Sequence, residues 1–372
     1  MARIWTEGFE NKPLGTSSTY QKTYNGMEIK SGSDYNQHKI NTTSARISGT
    51  CLQVQDYLGG HYTYTLKKIN SLSEIYTRFF IMMGKEYTSQ NVVGSPIIYA
   101  LCNETSNKKL VYLTFRNTEN MMNDYYNNYV LDIYNSLGEL IGTTRTLVFY
   151  AWNKIDVYYK IDSNNNITIK VKLNDEIIVD TTYNSTTYYD VGGIRFGLLE
   201  KPNDVSLQVY FDDMAANDTT GNINNSWCGN GHCEALVPIS NGSINQFTPS
   251  TGSNYACVDE LPVSTTDYVS TTTDGAIDIY KLTSLSGKRY SATTKINAIN
   301  IYKNAKYTDS QMDPIDYMKI NGTAYEFETS IKTTTSSTYY KNIYEVNPAT
   351  QTQFTVSDID NSEFGFKAKV GV

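Results

Sequence analysis

Apolar and polar residues alternate along most of this chain, which is the period of a half-buried β-strand. Val205, Leu207, Val209 and Phe211 take every second position before the pattern gives way to Asn, Asp, Thr and Gly between Asn217 and Trp227. The same alternation predicts strands over residues 46–54, 62–66, 74–83, 97–102, 110–116 and 129–134. Trp152–Ile161 and Ile167–Leu173 flank Asp162-Ser163-Asn164-Asn165-Asn166, a turn whose asparagines tolerate positive φ, so they form a hairpin within a β-meander. After the break, strands are predicted over 232–239, 276–282, 296–302, 317–321, 324–328, 339–346 and 364–370. The single predicted helix is one short turn, Thr355–Asp360, with Thr355 as its cap and acidic residues in its first turn.

Many short strands without helices define an all-β chain of sandwich or jelly-roll type. With 372 residues there is room for two cores. The break gives the boundaries: a first domain over 1–213, a linker over 214–230 and a smaller β-sandwich over 231–372.

Composition narrows the function. A net charge of −7 argues against nucleic-acid binding, which needs a basic stripe. No apolar stretch approaches the roughly 20 residues that cross a bilayer. The start, Met1–Glu7, carries no hydrophobic signal region, so synthesis and maturation in a cytoplasm are expected. Five cysteines, Cys51, Cys102, Cys228, Cys233 and Cys257, are too few and too uneven for a disulfide framework. Tyrosine is abundant, 32 residues against 12 Phe and 3 Trp, as suits strands and contact surfaces.

Candidate chemistry is sparse. Cys228, His232 and Cys233, with Cys257 further on, are the only soft ligands in a cluster, at a spacing that matches no zinc finger. A hairpin tip at Asn230-Gly231, with Cys228 facing Cys233 across it, is the plainer reading. Asp212-Asp213 is a minor calcium candidate and otherwise a turn cap. No paired carboxylates of glycosidase type, nucleophile elbow, P-loop or His-Glu-x-x-His occurs, so neither a catalytic residue nor a cofactor is assigned and a non-enzymatic protein is expected. The tyrosine doublets Tyr125-Tyr126, Tyr158-Tyr159, Tyr188-Tyr189 and Tyr339-Tyr340 are the candidate surfaces. One ring of each doublet on a strand faces the core and the other faces out, to pack a neighbouring subunit or to stack a sugar.

Several stretches carry a resemblance. The opening Met1-Ala2-Arg3-Ile4-Trp5 with Gly8-Phe9-Glu10, the Trp152–Leu173 hairpin, Gly193–Gly197 and Tyr210-Phe211-Asp212-Asp213 are similar to concanavalin A-like (laminin-G-type) jelly rolls of phage virion proteins. Asn217–Gly221 with Asn224–Trp227 resembles the linker that joins such a jelly roll to a C-terminal immunoglobulin-like β-sandwich. Glu234–Pro238, Gln246–Pro249 and Asn347–Thr350 resemble parts of that second domain. The pair Cys228 and Cys233 departs from the pattern. The resemblance implies a non-enzymatic bacteriophage structural protein, a capsid decoration or tail component located in the virion. It would act through interfaces with its own copies or other virion proteins, without nucleic acid or membrane insertion. The alternative is a virion protein for host adhesion, holding surface glycans with the jelly-roll loops. A depolymerase ranks last for want of paired acids.

Overall fold

In Asn166–Leu173 every second side chain, Ile167, Ile169, Val171 and Leu173, is fully buried and the residues between are not. That alternation sets which face of the strand meets the core. The computed structural model describes residues 2–10, 23–24, 27–31, 37–47, 49–56, 62–88, 95–117, 128–200, 205–261, 263–264, 266–327 and 332–371. The chain divides into two compact units, Met1–Cys233 and Glu234–Val372.

Strands are numbered in chain order. The front sheet of the first unit runs β15 (Glu176–Asn184), β14 (Asn166–Leu173), β13 (Asn153–Ile161), β7 (Glu74–Thr88), β17 (Val205–Asn217), β5 (Cys51–Asp56) and β4 (Gln37–Asn41). The opening strand β1 (Arg3–Glu7) pairs with the far end of β17. The back sheet runs β11 (Leu140–Thr143), β10 (Asn128–Asn135), β9 (Lys108–Asn117), β8 (Ile97–Asn103), β16 (Val191–Glu200), β6 (Thr63–Leu72), β3 (Met27–Ser31) and β2 (Thr23–Tyr24). A short β12 (Leu147–Val148) also pairs with β10. Neighbours in these sheets are antiparallel throughout, and at the centre of each sheet they are non-consecutive (β13–β7–β17–β5 and β8–β16–β6–β3), so the unit is a jelly-roll sandwich.

The core lies between the sheets. Trp5, Phe79, Tyr99, Phe196 and Phe211 are almost wholly buried there, each contributing roughly 1.5–3 kcal/mol or more by removal from water. Phe79 stacks on Tyr99 at 4.3 Å, and the Tyr99 hydroxyl is satisfied by Thr77 Oγ1 at 2.7 Å. The hairpin turn forms as its sequence predicts. Asn165 takes φ of 61°, and the Asp162 carboxylate accepts from the backbone N–H groups of Asn164 and Asn166.

Two local expectations differ. Residues 46, 47, 49 and 50 are not strand, and the Arg46 N–H goes to the Asp212 carboxylate instead of to a neighbouring strand. Residues 231–237 are not strand either: His232 and Cys233 bond Asp213, and pairing starts only at Pro238. Residues 214–217 complete β17, and 218–233 pack on the first unit.

The second unit is built on a five-stranded sheet. Its order is β18 (Pro238–Asn245), β21 (Ile277–Leu282), β29 (Ser362–Val370), β24 (Met312–Ile320) and β25 (Thr323–Phe327). Three small sheets accompany it. β19 (Thr248–Pro249) pairs with β20 (Val269–Ser270); β22 (Lys295–Ile296) joins β28 (Thr352–Thr355) and β27 (Val346–Asn347); β23 (Ile299–Ala305) pairs with β26 (Thr338–Tyr344). Met318, Ile320, Phe354, Val356, Ile359 and Phe364 form its core. The predicted helix is present as α1 (Val356–Asp360), closed by a reciprocal capping box between Thr355 and Asp358.

Candidate functional site

The doublet tyrosines fall in four different settings. Tyr125 and Tyr126 lie outside the described residues. Tyr159 faces the core and Tyr158 faces out, as a strand requires, yet Tyr158 is buried on that outer face. Tyr188 and Tyr189 sit in a loop, the first exposed and the second packed against the core. Tyr339 is exposed on β26, and the Tyr340 hydroxyl donates to Lys332 O at 3.2 Å. Within the first unit two doublets meet, the Tyr159 hydroxyl donating to Tyr189 O at 3.0 Å.

What covers Tyr158 is the segment after β17. Trp227 lies beside Tyr76 and Tyr158, with ring centroids 5.4 and 6.2 Å away, and Lys172 Nζ stands 3.9 Å over its ring. Next to them, Lys154 donates to Asn230 Oδ1 at 2.5 Å and Arg78 donates to Gly229 O at 3.0 Å. Arg78, Lys154 and Asp156 are thereby buried on the outer face of the front sheet. The centre of that face is closed.

Asp213 anchors the closing segment. The register of β17 against β7 slips between Asp212 and Ala215, a bulge that leaves Asp213 with φ of 46° and turns its side chain away from the ladder. Its carboxylate accepts from Arg46 Nε at 2.7 Å, His232 Nδ1 at 2.8 Å and the Cys233 N–H at 2.7 Å. Burial opposes its charge, but His232 and Arg46 outweigh that and hold the carboxyl below its ordinary range. Burial, followed by the charge of Asp213, pushes Asp212 up. The Asp213 oxygens are thus already engaged by Arg46, His232 and the Cys233 N–H.

The soft-ligand cluster is dispersed as well. All five cysteines are free thiols, so Cys228 and Cys233 are not joined. Cys228 lies against Tyr76 O and Cys233 against Thr6 Oγ1, while Cys257 in the second unit donates to Thr251 O at 2.9 Å. Among the described residues no group of three His, Cys, Asp or Glu side chains is placed to hold a metal ion.

At the other end of the front sheet runs a ladder of side-chain amides. Asn41 donates to Gln53, Gln53 and Gln208 both donate to Gln55, and Tyr210 donates to Gln208, over 2.7–3.2 Å. This series of bonds ties β4, β5 and β17 together across one face.

The outer face of the back sheet carries the candidate site. Strand register places Leu66, Arg195, Ala100, Tyr112 and Tyr134 in one row across β6, β16, β8, β9 and β10. Tyr112 and Tyr134 stack with centroids 5.1 Å apart and planes at 7°. Ile97, Ala100, Cys102 and Leu199 make a small apolar floor against which Tyr64 and Tyr112 rest. Polar groups border it. Arg195 is held by Glu104 at 2.9 Å and lies 5.7 Å from the Tyr64 ring, and Lys109 pairs with Glu200. Glu104 reaches this place because residue 193 is glycine; a Cβ there would stand 2.6 Å from Glu104 Oε1. Asp132 accepts from Arg116 at 2.5 Å and Thr143 at 2.7 Å at the next register position. Tyr64, Arg195, Tyr112, Tyr134 and Lys109 all keep part of their surface in solvent. Burial raises the pKa of both Tyr64 and Tyr112, so their hydroxyls remain hydrogen-bond donors at neutral pH.

No family model matches this chain, and no curated protein matches it. Solved structures do. A cellulose-induced protein, Cip1, is 17% identical over 61% of this chain and all of its own, with a TM-score of 0.41. An endo-β-1,4-glucuronan lyase from the fungus Trichoderma reesei is 14% identical over 58% of this chain and 95% of its own, with a TM-score of 0.37. The carbohydrate recognition domain of Emp47p is 10% identical over 56% of this chain and 95% of its own, with a TM-score of 0.33. Likeness at this level concerns fold alone.

The comparisons nonetheless correct two expectations. The structures found include polysaccharide lyases and a carbohydrate recognition domain, where a virion structural part was expected, and that reading is withdrawn. Lyases among them also remove the exclusion of catalysis drawn from missing motifs. Of the resemblance, the jelly-roll sandwich stands; phage origin and an immunoglobulin-like second domain have no counterpart in what was found. The chain is an all-β protein whose first unit is a jelly-roll sandwich of two antiparallel sheets.

Proposed function

We propose that the first unit binds carbohydrate on the outer face of its back sheet. The observation that carries the reading is the Tyr112–Tyr134 stack set beside an apolar floor and bordered by Arg195–Glu104 and Lys109–Glu200. A sugar ring is apolar on its C–H faces and polar at its rim. Aromatic rings beside an apolar floor suit the faces, and fixed guanidinium and carboxylate groups suit the hydroxyls. Neighbouring strands stand about 4.8 Å apart. A row running across five of them is long enough to follow several sugar units of one chain.

Affinity electrophoresis through gels holding neutral and acidic polysaccharides, cellulose derivatives and alginate among them, tests this. Retardation by at least one polymer is expected, reduced at least severalfold in Tyr112→Ala and kept in Tyr339→Ala, whose ring lies in the second unit. Retardation by none of the polymers, or equal retardation of a folded Tyr112→Ala, would overturn the reading. Shortening of a retained polymer during the run would add catalysis to binding.

A further inference from the structure

Three polar side chains converge inside the second unit. On β23, Ile299 and Ile301 point into the core, and Lys303 follows them on the same face with only 4% of its surface exposed. On the facing strand β24, Asp316 shares the inward side with Met318 and Ile320, and all three are fully buried. Lys303 Nζ donates to Asp316 Oδ1 at 2.5 Å and to Pro314 O at 3.1 Å. The other carboxylate oxygen accepts from Asn342 Nδ2 and from the Tyr344 hydroxyl, each at 2.5 Å.

Register fixes the relation between Lys303 and Asn342. Lys303 stands opposite Tyr340, and Asn342 stands opposite Ile301. The two are thus diagonal neighbours on one face of adjacent strands, about 7–8 Å apart at the backbone and well within the reach of a lysine. A single buried carboxylate bridges an amine and a carboxamide in apolar surroundings. Burial lowers the Lys303 pKa, with Asp316 opposing, and so brings the neutral amine within reach.

We propose that Lys303 and Asn342 join in an intramolecular amide bond, with Asp316 carrying the protons. The Lys303 ammonium passes a proton to Asp316, leaving an amine and a carboxylic acid. A half-turn of the Asn342 amide about its last torsion presents Oδ1 to that acid, which hydrogen-bonds it and polarises the carbonyl. The Nζ lone pair then attacks Cγ, and the carbonyl electron pair moves onto Oδ1. Collapse of this adduct breaks the Cγ–Nδ2 bond, and Nδ2 leaves as ammonia, taking up its proton through Asp316. In sum, one alkylammonium and one primary amide give a secondary amide and an ammonium ion, so no oxidant, reductant or cofactor is needed. The bond staples β23 to β26, a two-stranded ribbon of a kind that is marginal without such support.

The intact mass of the full chain, measured under denaturing conditions, tests this. The expected mass is below that of the sequence by one ammonia. A tryptic digest should then hold a branched peptide joining the segment around Lys303 to that around Asn342, with no cleavage after Lys303. Lys303→Met and Asp316→Ala should each return the full mass and the linear peptides. A full-mass wild-type chain without the branched peptide overturns the proposal, whether or not the variants fold. So does an ammonia loss that persists in Lys303→Met.

Discussion

Arg78 grips the backbone of Asp213: its Nε and Nη2 donate to the Asp213 carbonyl at 3.0 and 2.7 Å. The bulge makes this possible by swinging that carbonyl off the ladder, and Arg78 Nη1 continues to Gly229 O. One guanidinium therefore holds both the bulge and the segment that closes the sheet. Arg78→Met keeps much of the bulk but leaves the buried carbonyl oxygens of Asp213 and Gly229 without their donor. We expect it to destabilise the first unit by about 3–5 kcal/mol. Urea unfolding followed by Trp fluorescence reads this directly, and a change below about 1 kcal/mol would refute the role.

Gly8 has a related part. A Cβ on residue 8 would stand 2.3 Å from Cys233 Cβ, a separation that real atoms do not adopt. Cys233 is shielded, and burial, with Asp213 adding, pushes its thiol up to about 12. Gly8→Ala should lift residues 228–233 from the sheet and let Cys233 react. The measure is labelling by a thiol reagent in the native state, with peptide mapping to identify the cysteine. An unchanged Cys233 rate in a folded variant contradicts the packing described.

His38 gives a pH dependence. It points from β4 towards the back sheet, where its Nδ1 meets Thr63 Oγ1 at 3.1 Å. Burial pulls its pKa from the usual 6.5 down to about 3. Below pH 6.5 the unfolded chain takes up a proton that the folded chain refuses, so stability falls as the pH falls from about 6.5 towards 3. His38→Asn, which can still accept from Thr63, should flatten this limb by up to one proton in the slope of stability against pH. Equal slopes for the two proteins would rule out His38 as a source.

The sequence shows the fold more readily than the site, for a physical reason. Alternation is a local signal, and it located the hairpin around Asn165; cap chemistry, equally local, located the helix capped by Thr355. The row of Leu66, Arg195, Ala100, Tyr112 and Tyr134 is set by register among five strands that are mostly distant in sequence, and no window of the chain contains it. Doublets drew attention to Tyr158-Tyr159, yet adjacent strand residues face opposite ways, and a common face is assembled from single tyrosines. Arg46 and His232 were equally hidden, since 167 and 19 residues separate them from Asp213. The convergence of Lys303, Asp316 and Asn342 was out of reach for the same reason, with no motif shorter than the three strands that carry them.

The capping box of α1 supplies the last test. Thr355 Oγ1 accepts from the Asp358 N–H at 3.2 Å, and the Asp358 carboxylate accepts from the Thr355 N–H at 2.8 Å. The helix has only five residues, too few to hold by its own hydrogen bonds, yet it delivers Val356 and Ile359 into the second core. Its start is therefore fixed by the box and its position by those two side chains. Thr355→Ala removes both the acceptor and the Oγ1 donor to Asp358 and should cost about 1 kcal/mol, while Thr355→Ser should cost a fraction of that. Thermal unfolding of the full chain, followed by hydrogen exchange at Ile359, separates this loss from any change in the first unit. Equal destabilisation by Ala and Ser would mean that the threonine methyl group, not the cap, holds the turn.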